Sequence, residues 1–339
     1  MTLPIFWFMI IVVALIFYAM LDGFDLGVGA LHLFARTDEE RRIFLNAIGP
    51  VWDGNEVWLV IVGGALFAGF TPVYATIFSA FYTPFMAMLF ALILRAVAIE
   101  FRSKVEHARW RHVWDWVFSI SSIGIAFLSG IVLGTLVQGI PLDNDGNYLG
   151  GLSEFFTPFS IVLGITAVAL FTMHGNVYLF MKTEGSLHER LRRWVHWTIS
   201  AFILMYVLLT IMTLLQFPHM IASMKNYPIL LGVPLLTLGA ISAIPICVHK
   251  GYDGWAFISS CCSILFLFVL FGVGMFPVMV LSTVNPLQNS LTVFNAHSSD
   301  LTLKVLAIIV AIGVPLVLAY GFYIYRVFRG KVRLDESSY

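Results

Sequence analysis

Charged residues are scarce in this chain, at 11% of its 339 residues, against about 25% in an ordinary soluble domain. With 60% hydrophobic residues and a mean hydropathy of +0.91, this excludes a soluble globule and implies many membrane crossings of about 20 residues each. Neither sign of charge is in excess, 19 basic against 19 acidic, so no global field gathers nucleic acid and no nucleic-acid partner is expected. Cysteine is nearly absent. Cys247, Cys261 and Cys262 lie in apolar stretches without a C-x-x-C pair, which speaks against a disulfide framework or a thiolate metal site. Histidine is present but poorly placed: of nine, only His174 is well inside an apolar run, with His32 near an end. A haem held by two imidazoles needs facing histidines within spans, so this chain alone is expected to bind neither haem nor metal, and His174 reads as a hydrogen-bonded core residue. The Gly63-Gly64 pair follows no strand and is no nucleotide loop, and Asp143-Asn-Asp-Gly-Asn147 lacks the terminal Glu of a calcium loop and reads as a turn.

What is abundant is long apolar runs, at roughly 4–33, 50–70, 74–100, 115–138, 156–181, 195–217, 228–248, 255–281 and 301–327. They predict an all-α polytopic membrane protein of nine transmembrane helices. The first run lacks a preceding basic residue and a small-residue cleavage site, so it is expected to be retained as a helix. With nine crossings, every Lys and Arg except Lys225 and Lys304 falls on one side. The positive-inside rule then puts the N-terminus outside and the C-terminus in the cytoplasm. Trp52, Trp110, Trp114, Trp116, Trp194, Trp197 and Trp255 fall at the same ends of the spans, as interface anchors do. His32-Leu-Phe-Ala-Arg-Thr-Asp38 can be laid over Tyr178-Leu-Phe-Met-Lys-Thr-Glu184. That offset suggests a single integral membrane domain over 1–339, built as two parallel four-helix units, 1–138 and 156–281, plus one extra helix, 301–327.

Charges inside spans are costly and require a reason. Asp22 and Asp25 in the first run are three apart and share a helix face. Gly23 and Gly27 form a G-x-x-x-G that permits close helix contact and is assigned to packing against another subunit. Arg95, with Glu100 following, is the cation expected to meet the buried acids, unless its side chain snorkels to the interface. In Gly49-Pro-Val-Trp-Asp-Gly-Asn-Glu-Val-Trp58, Asp53 and Glu56 occupy the first turns of the second span, where carboxylates also suit the helix dipole. Two readings stand at this point: a proton relay through Asp53, Glu56, Asp22 and Asp25, or structural ion pairing with Arg95.

Four stretches carry a resemblance. Leu21-Asp-Gly-Phe-Asp-Leu-Gly-Val-Gly29, Gly49 to Trp58, Arg102-Ser-Lys-Val-Glu-His-Ala-Arg-Trp-Arg-His-Val-Trp-Asp-Trp116 and Ser290-Leu-Thr-Val-Phe-Asn-Ala-His-Ser-Ser-Asp-Leu-Thr-Leu303 closely resemble subunit II of cytochrome bd-type quinol oxidases. The resemblance implies a bacterial inner-membrane terminal oxidase, a quinol:oxygen oxidoreductase that makes water. It implies that haem b and haem d lie in a partner, subunit I, and that membrane lipids and quinol surround the complex. A small single-helix subunit and a structural quinone or lipid are compatible with it. It also implies proton and oxygen access partly through this chain, at Asp25, Asp53 and Trp58. A long insertion of some relatives, between the sixth and seventh helices, is reduced here to 218–227. Two other classes fit less well: a proton-coupled transporter, expected to show paired broken helices and suggested only by the Pro-rich seventh run, and a purely structural or assembly subunit, which needs no buried acids.

Overall fold

The computed structural model describes residues 2–334. α1 (Leu3–Leu31) opens with Pro4 in its first turn, where a missing amide costs no hydrogen bond. Its 29 residues extend about 44 Å, more than the ~30 Å apolar core of a bilayer. The next helix, α2 (Asp38–Ile48), is amphipathic. Thr37 caps it by accepting the Glu40 amide, and Asp38, Glu39 and Glu40 occupy its first turn, all favourable at the positive end of a helix. Phe44, Leu45 and Ile48 form its buried side. α3 (Trp52–Gly69) continues at a bend of 47°.

The third apolar run is not one helix. It breaks at Phe81 into α4 (Thr71–Ala80) and α5 (Tyr82–Phe101), and only α5 is long enough to span. Both sides of the break are apolar, so hydropathy carries no sign of it. α6 (Ala108–Gln138), α7 (Pro158–Lys182) and α8 (Gly185–Gln216) follow. α6 and α8 begin seven and ten residues before their apolar runs, because polar helix formers at the basic end continue the helix past the membrane. α9 (Ala222–Asn226) is a short connector to α10 (Gly232–Lys250), which runs unbroken through Pro245. α11 (Asp253–Met275) stops before the end of its apolar run. Residues 276–281 instead enter a cap at the opposite end, where β1 (Val278–Val280) is joined by α12 (Pro286–Asn289) to antiparallel β2 (Leu291–Thr292). The Ile140 amide donates to Leu281 O, and the Asn289 amide group to Leu142 O, tying the 139–155 loop into this cap. α13 (Asp300–Val327) ends the bundle.

Eight of these helices are each long and apolar enough to cross a membrane, and the bent pair α2–α3 raises the number to nine among the described residues. α3 counts as a span only together with α2, because Asp53, Asn55 and Glu56 fill its first turns. The chain is therefore an all-α multi-pass membrane protein. Its centre is the contact of α1 with α7. α1 also packs on α3, α6 and α11, α7 on α6, α8 and α11, α5 on α6, and α10 on α11. Phe24 stacks on Tyr178 at 3.9 Å between ring centres across the α1–α7 seam. By contrast α13 buries only Leu303 fully.

Gly23 and Gly27 face this seam rather than another subunit, which corrects the expectation. A methyl group on Gly27 would lie 1.8 Å from the carbonyl oxygen of Phe171 and 2.8 Å from the Gly175 amide, and one on Gly23 would lie 2.8 Å from the Phe171 ring. Their spacing does mark a close helix contact, but the partner helix is α7 of the same chain.

Candidate functional site

Three helices bring the buried charges together near the basic end. α1 supplies Asp22 and Asp25, α3 supplies Asp53, Asn55 and Glu56, and α5 supplies Arg95 and Glu100. Asp22 and Arg95 are fully buried and Asp25 is 1% exposed. Arg95 Nη2 donates to Asp22 Oδ1 at 2.7 Å and also to Glu56 Oε1, a second ion pair. Arg95 thus points inward and does not snorkel, and its carboxylate partners are Asp22 and Glu56.

Asp25 is held differently. Asn55 Nδ2 donates to its Oδ2 at 2.7 Å and to Leu21 O at 3.3 Å, while the Tyr325 hydroxyl donates to Asn55 Oδ1 at 2.8 Å. Among the described residues Asp22 Oδ2, Asp25 Oδ1 and Arg95 Nε and Nη1 are buried and receive or make no hydrogen bond. Asp53 is exposed in the first turn of α3, Glu56 is partly exposed one turn further in, and Glu100 lies half-buried near the end of α5. Trp58, 4% exposed, stacks on Phe17 of α1 at 4.3 Å, in an apolar layer beyond the carboxylates. The structure therefore gathers Asp22, Asp25, Glu56 and Arg95. Asp53 and Glu100 lie at the margin of the group, and Trp58 lies past it.

Asn55 and Tyr325 were not singled out from the sequence. Asn55 stands between two flagged carboxylates, so its position was the available signal; Tyr325, 270 residues away, had none. A second ion network was missed as well. Asp115, fully buried in α6, accepts from His32 Nε2 and Arg102 Nε, both at 2.6 Å, and from Arg41 Nη1 at 2.7 Å. Asp38 on α2 accepts from Arg102 and Arg111, and Glu40 from Arg190 of α8. These pairs strap α2 across the basic end of the bundle. Burial pushes the Glu40 carboxyl up, but the hydrogen bonds from Arg190 and the Arg36 amide outweigh it and hold the carboxyl below its ordinary value. At the opposite end Asp143 accepts from the Asn147 side chain and amide and from the Asp145 amide, an Asx turn where the sequence reads as a turn.

Of the two buried imidazoles, His174 uses Nδ1 on Ser260 and Nε2 on Met20 O, each at 2.8 Å, while His32 commits Nε2 to Asp115 and leaves Nδ1 without a partner among the described residues. Among the described residues no three His, Cys, Asp or Glu side chains converge on a metal position.

The fold and the cluster define a class: a polytopic helical membrane subunit with acids and a guanidinium buried near one face. Comparison with known proteins narrows it. The family model for cytochrome bd terminal oxidase subunit II matches residues 3–328, and the chain belongs to that family. It is 33% identical over 361 residues to cytochrome bd-I ubiquinol oxidase subunit 2 of Escherichia coli (strain K12), covering 97% of this chain and 95% of the relative. It is 34% identical over 331 residues to cytochrome bd ubiquinol oxidase subunit 2 of Bacillus subtilis (strain 168), covering 97% of each. The fold also matches a chain in the structure of bd oxidase from Geobacillus thermodenitrificans, with a TM-score of 0.80 over 97% of this chain and 99% of the other, at 17% identity.

Proposed function

We propose that this chain works as subunit II of a bd-type terminal oxidase in a bacterial inner membrane. The complex oxidises quinol and reduces dioxygen to water, subunit I carries haem b and haem d, and the present chain supports that subunit and delivers protons to it. The observation that carries this reading is the charge count of the cluster: Asp22, Asp25 and Glu56 surround the single guanidinium of Arg95. If all three acids were ionised the buried site would hold excess negative charge, so a proton shared among them is the economical state.

Reduction of dioxygen to water consumes four protons, which cannot cross hydrocarbon without titratable groups or ordered water. In this reading a proton enters at exposed Asp53, passes to Glu56, and moves inward to Asp22 and Asp25, with Arg95 holding the acids in place and Glu100 flanking the entry. Trp58 and Phe17 stack in an apolar layer that, in this reading, favours dioxygen over water. The basic end is then cytoplasmic and the N-terminus outside. The two-unit architecture belongs to the same proposal, with α1, α3, α5 and α6 as one unit, α7, α8, α10 and α11 as the other, and α13 as the extra helix. Its support is the matched packing, in which α1 on α3 parallels α7 on α8, and α5 on α6 parallels α10 on α11.

Asp53→Asn and Asp25→Asn in the assembled oxidase test the pathway. Each is expected to slow quinol-dependent oxygen uptake while haem content and spectra stay normal. Loss of haem together with activity favours the structural reading, and full activity in both variants overturns proton delivery.

A further inference from the structure

The last helix, α13, is pinned at its ends and exposed between. At one end Trp7 Nε1 donates to Leu303 O at 3.0 Å. At the other, Tyr325 reaches into the bundle and donates to Asn55, while just beyond the helix Lys182 Nζ donates to Phe328 O. Along most of the intervening length its large apolar side chains are exposed. Tyr325 is thus a polar group sent inward from a helix that otherwise makes little core, and its target is the residue that holds Asp25.

The Asn55 amide has two N–H donors and one oxygen, and all are committed. The donors go to Leu21 O and Asp25 Oδ2, and the oxygen accepts from Tyr325. With Asp25 ionised, a flipped amide would set its oxygen against two acceptors, so one orientation fits that state. Asn55 cannot pass a proton through its amide; what it does is fix where the Asp25 carboxyl points. Of its three anchors, two come from α1 itself, and Tyr325 is the one that positions the amide from the far side. Without it the Asn55 oxygen becomes a buried acceptor lacking a donor, and the amide gains a reason to turn away from Asp25.

We infer that Tyr325 is a positioning residue for Asp25, acting through Asn55, so that the end of α13 sets the orientation of the buried carboxyl that has no guanidinium partner. The inference rests on the proton-delivery reading for its kinetic consequence, but not for its structural one.

The test uses the assembled oxidase carrying Tyr325→Phe, Asn55→Ala, both together, and Asp25→Asn. Oxygen uptake per haem is expected to fall about fivefold in Tyr325→Phe, the equivalent of one net hydrogen bond. Adding Tyr325→Phe to Asn55→Ala or to Asp25→Asn should cause no further loss, since the effect travels through those residues. An infrared carboxyl band assigned to Asp25 by its absence in Asp25→Asn should shift in Tyr325→Phe, which a helix-docking role alone would not produce. A wild-type rate and an unmoved band in Tyr325→Phe overturn the inference, as do multiplicative losses in the double variants or loss of haem in Tyr325→Phe. Full activity in Asp25→Asn with a shifted band refutes proton delivery and leaves the positioning role standing.

Discussion

The α1–α7 seam makes a quantitative demand on one glycine. In Gly27→Ala the added carbon would sit 1.8 Å from a backbone oxygen of α7, where a carbon–oxygen contact is normally about 3.3 Å. Relief requires the helices to part by roughly 1.5 Å, because neither backbone has a rotamer to change. Gly23→Ala meets only the edge of the Phe171 ring, at 2.8 Å, which can swing aside. Gly63 of α3 has nothing within 4 Å of the position its side chain would take, so Gly63→Ala shows helix propensity alone, a gain of up to about 1 kcal/mol. Overpacking costs about 1–3 kcal/mol where side chains can yield. Gly27→Ala belongs at or above the top of that range, so the spread between it and Gly63→Ala is about 4 kcal/mol, nearly a thousandfold in an equilibrium constant. The assay is the survival of assembled, haem-containing oxidase after heating in detergent, compared across the three variants at fixed temperature. The expected order of resistance is Gly63→Ala, then Gly23→Ala, then Gly27→Ala. Equal survival of Gly27→Ala and Gly63→Ala would refute the packing argument.

The Glu40–Arg190 pair gives a pH-dependent counterpart. The folded Glu40 carboxyl lies below its ordinary value, so its contribution is fully present above that value and is lost as pH falls through the folded one; the stability deficit of Glu40→Gln, about 1–2 kcal/mol at pH 7, should shrink below about pH 4, and a deficit independent of pH would exclude the ion pair as its cause. Topology is checked by reporter fusions after Arg109 and Arg190, which should both read cytoplasmic; a periplasmic signal at either would exclude the nine-crossing arrangement with the N-terminus outside.

The helices were legible in the sequence because a membrane span needs length and apolarity, both of which are written locally. Their ends were less so. Ala108 and Gly185 start α6 and α8 among polar residues that hydropathy discards, and the break at Phe81 has apolar sequence on either side. In the site, Asp22, Asp25, Glu56 and Arg95 stood out because a charge in an apolar run is expensive wherever the helix packs. Which acid takes which base depends on the rotation and depth of three helices, so Arg95 meets Asp22 and Glu56 while Asp25 takes an amide instead. Neutral Asn55 and Tyr325 carry no such cost signal, and their importance exists only once α13 meets α3. Gly23 and Gly27 make the same point: spacing announces that a backbone approaches, and nothing in it says whose.

The cluster divides into a charged half, Glu56–Arg95–Asp22, and a neutral-partnered half, Asp25–Asn55–Tyr325, and the two are joined because Asp22 and Asp25 lie three residues apart on one face of α1. In the charged half a single Nη2 nitrogen donates to both carboxylates, so on the proposed pathway a proton arriving on Glu56 would remove one of the two charges holding Arg95 and leave the guanidinium to Asp22. When the proton moves on, the second hold returns. On the proton-delivery reading, Arg95 is therefore more than a counter-charge: its balance between two acids resets after each proton passes. Asp25, without a guanidinium of its own, is the carboxyl whose charge is least compensated by direct contact, and it is the one fixed by a neutral amide. That division assigns charge balance to α3 and α5 and geometry to α13, which is why a helix with almost no buried surface still has a residue that reaches the site.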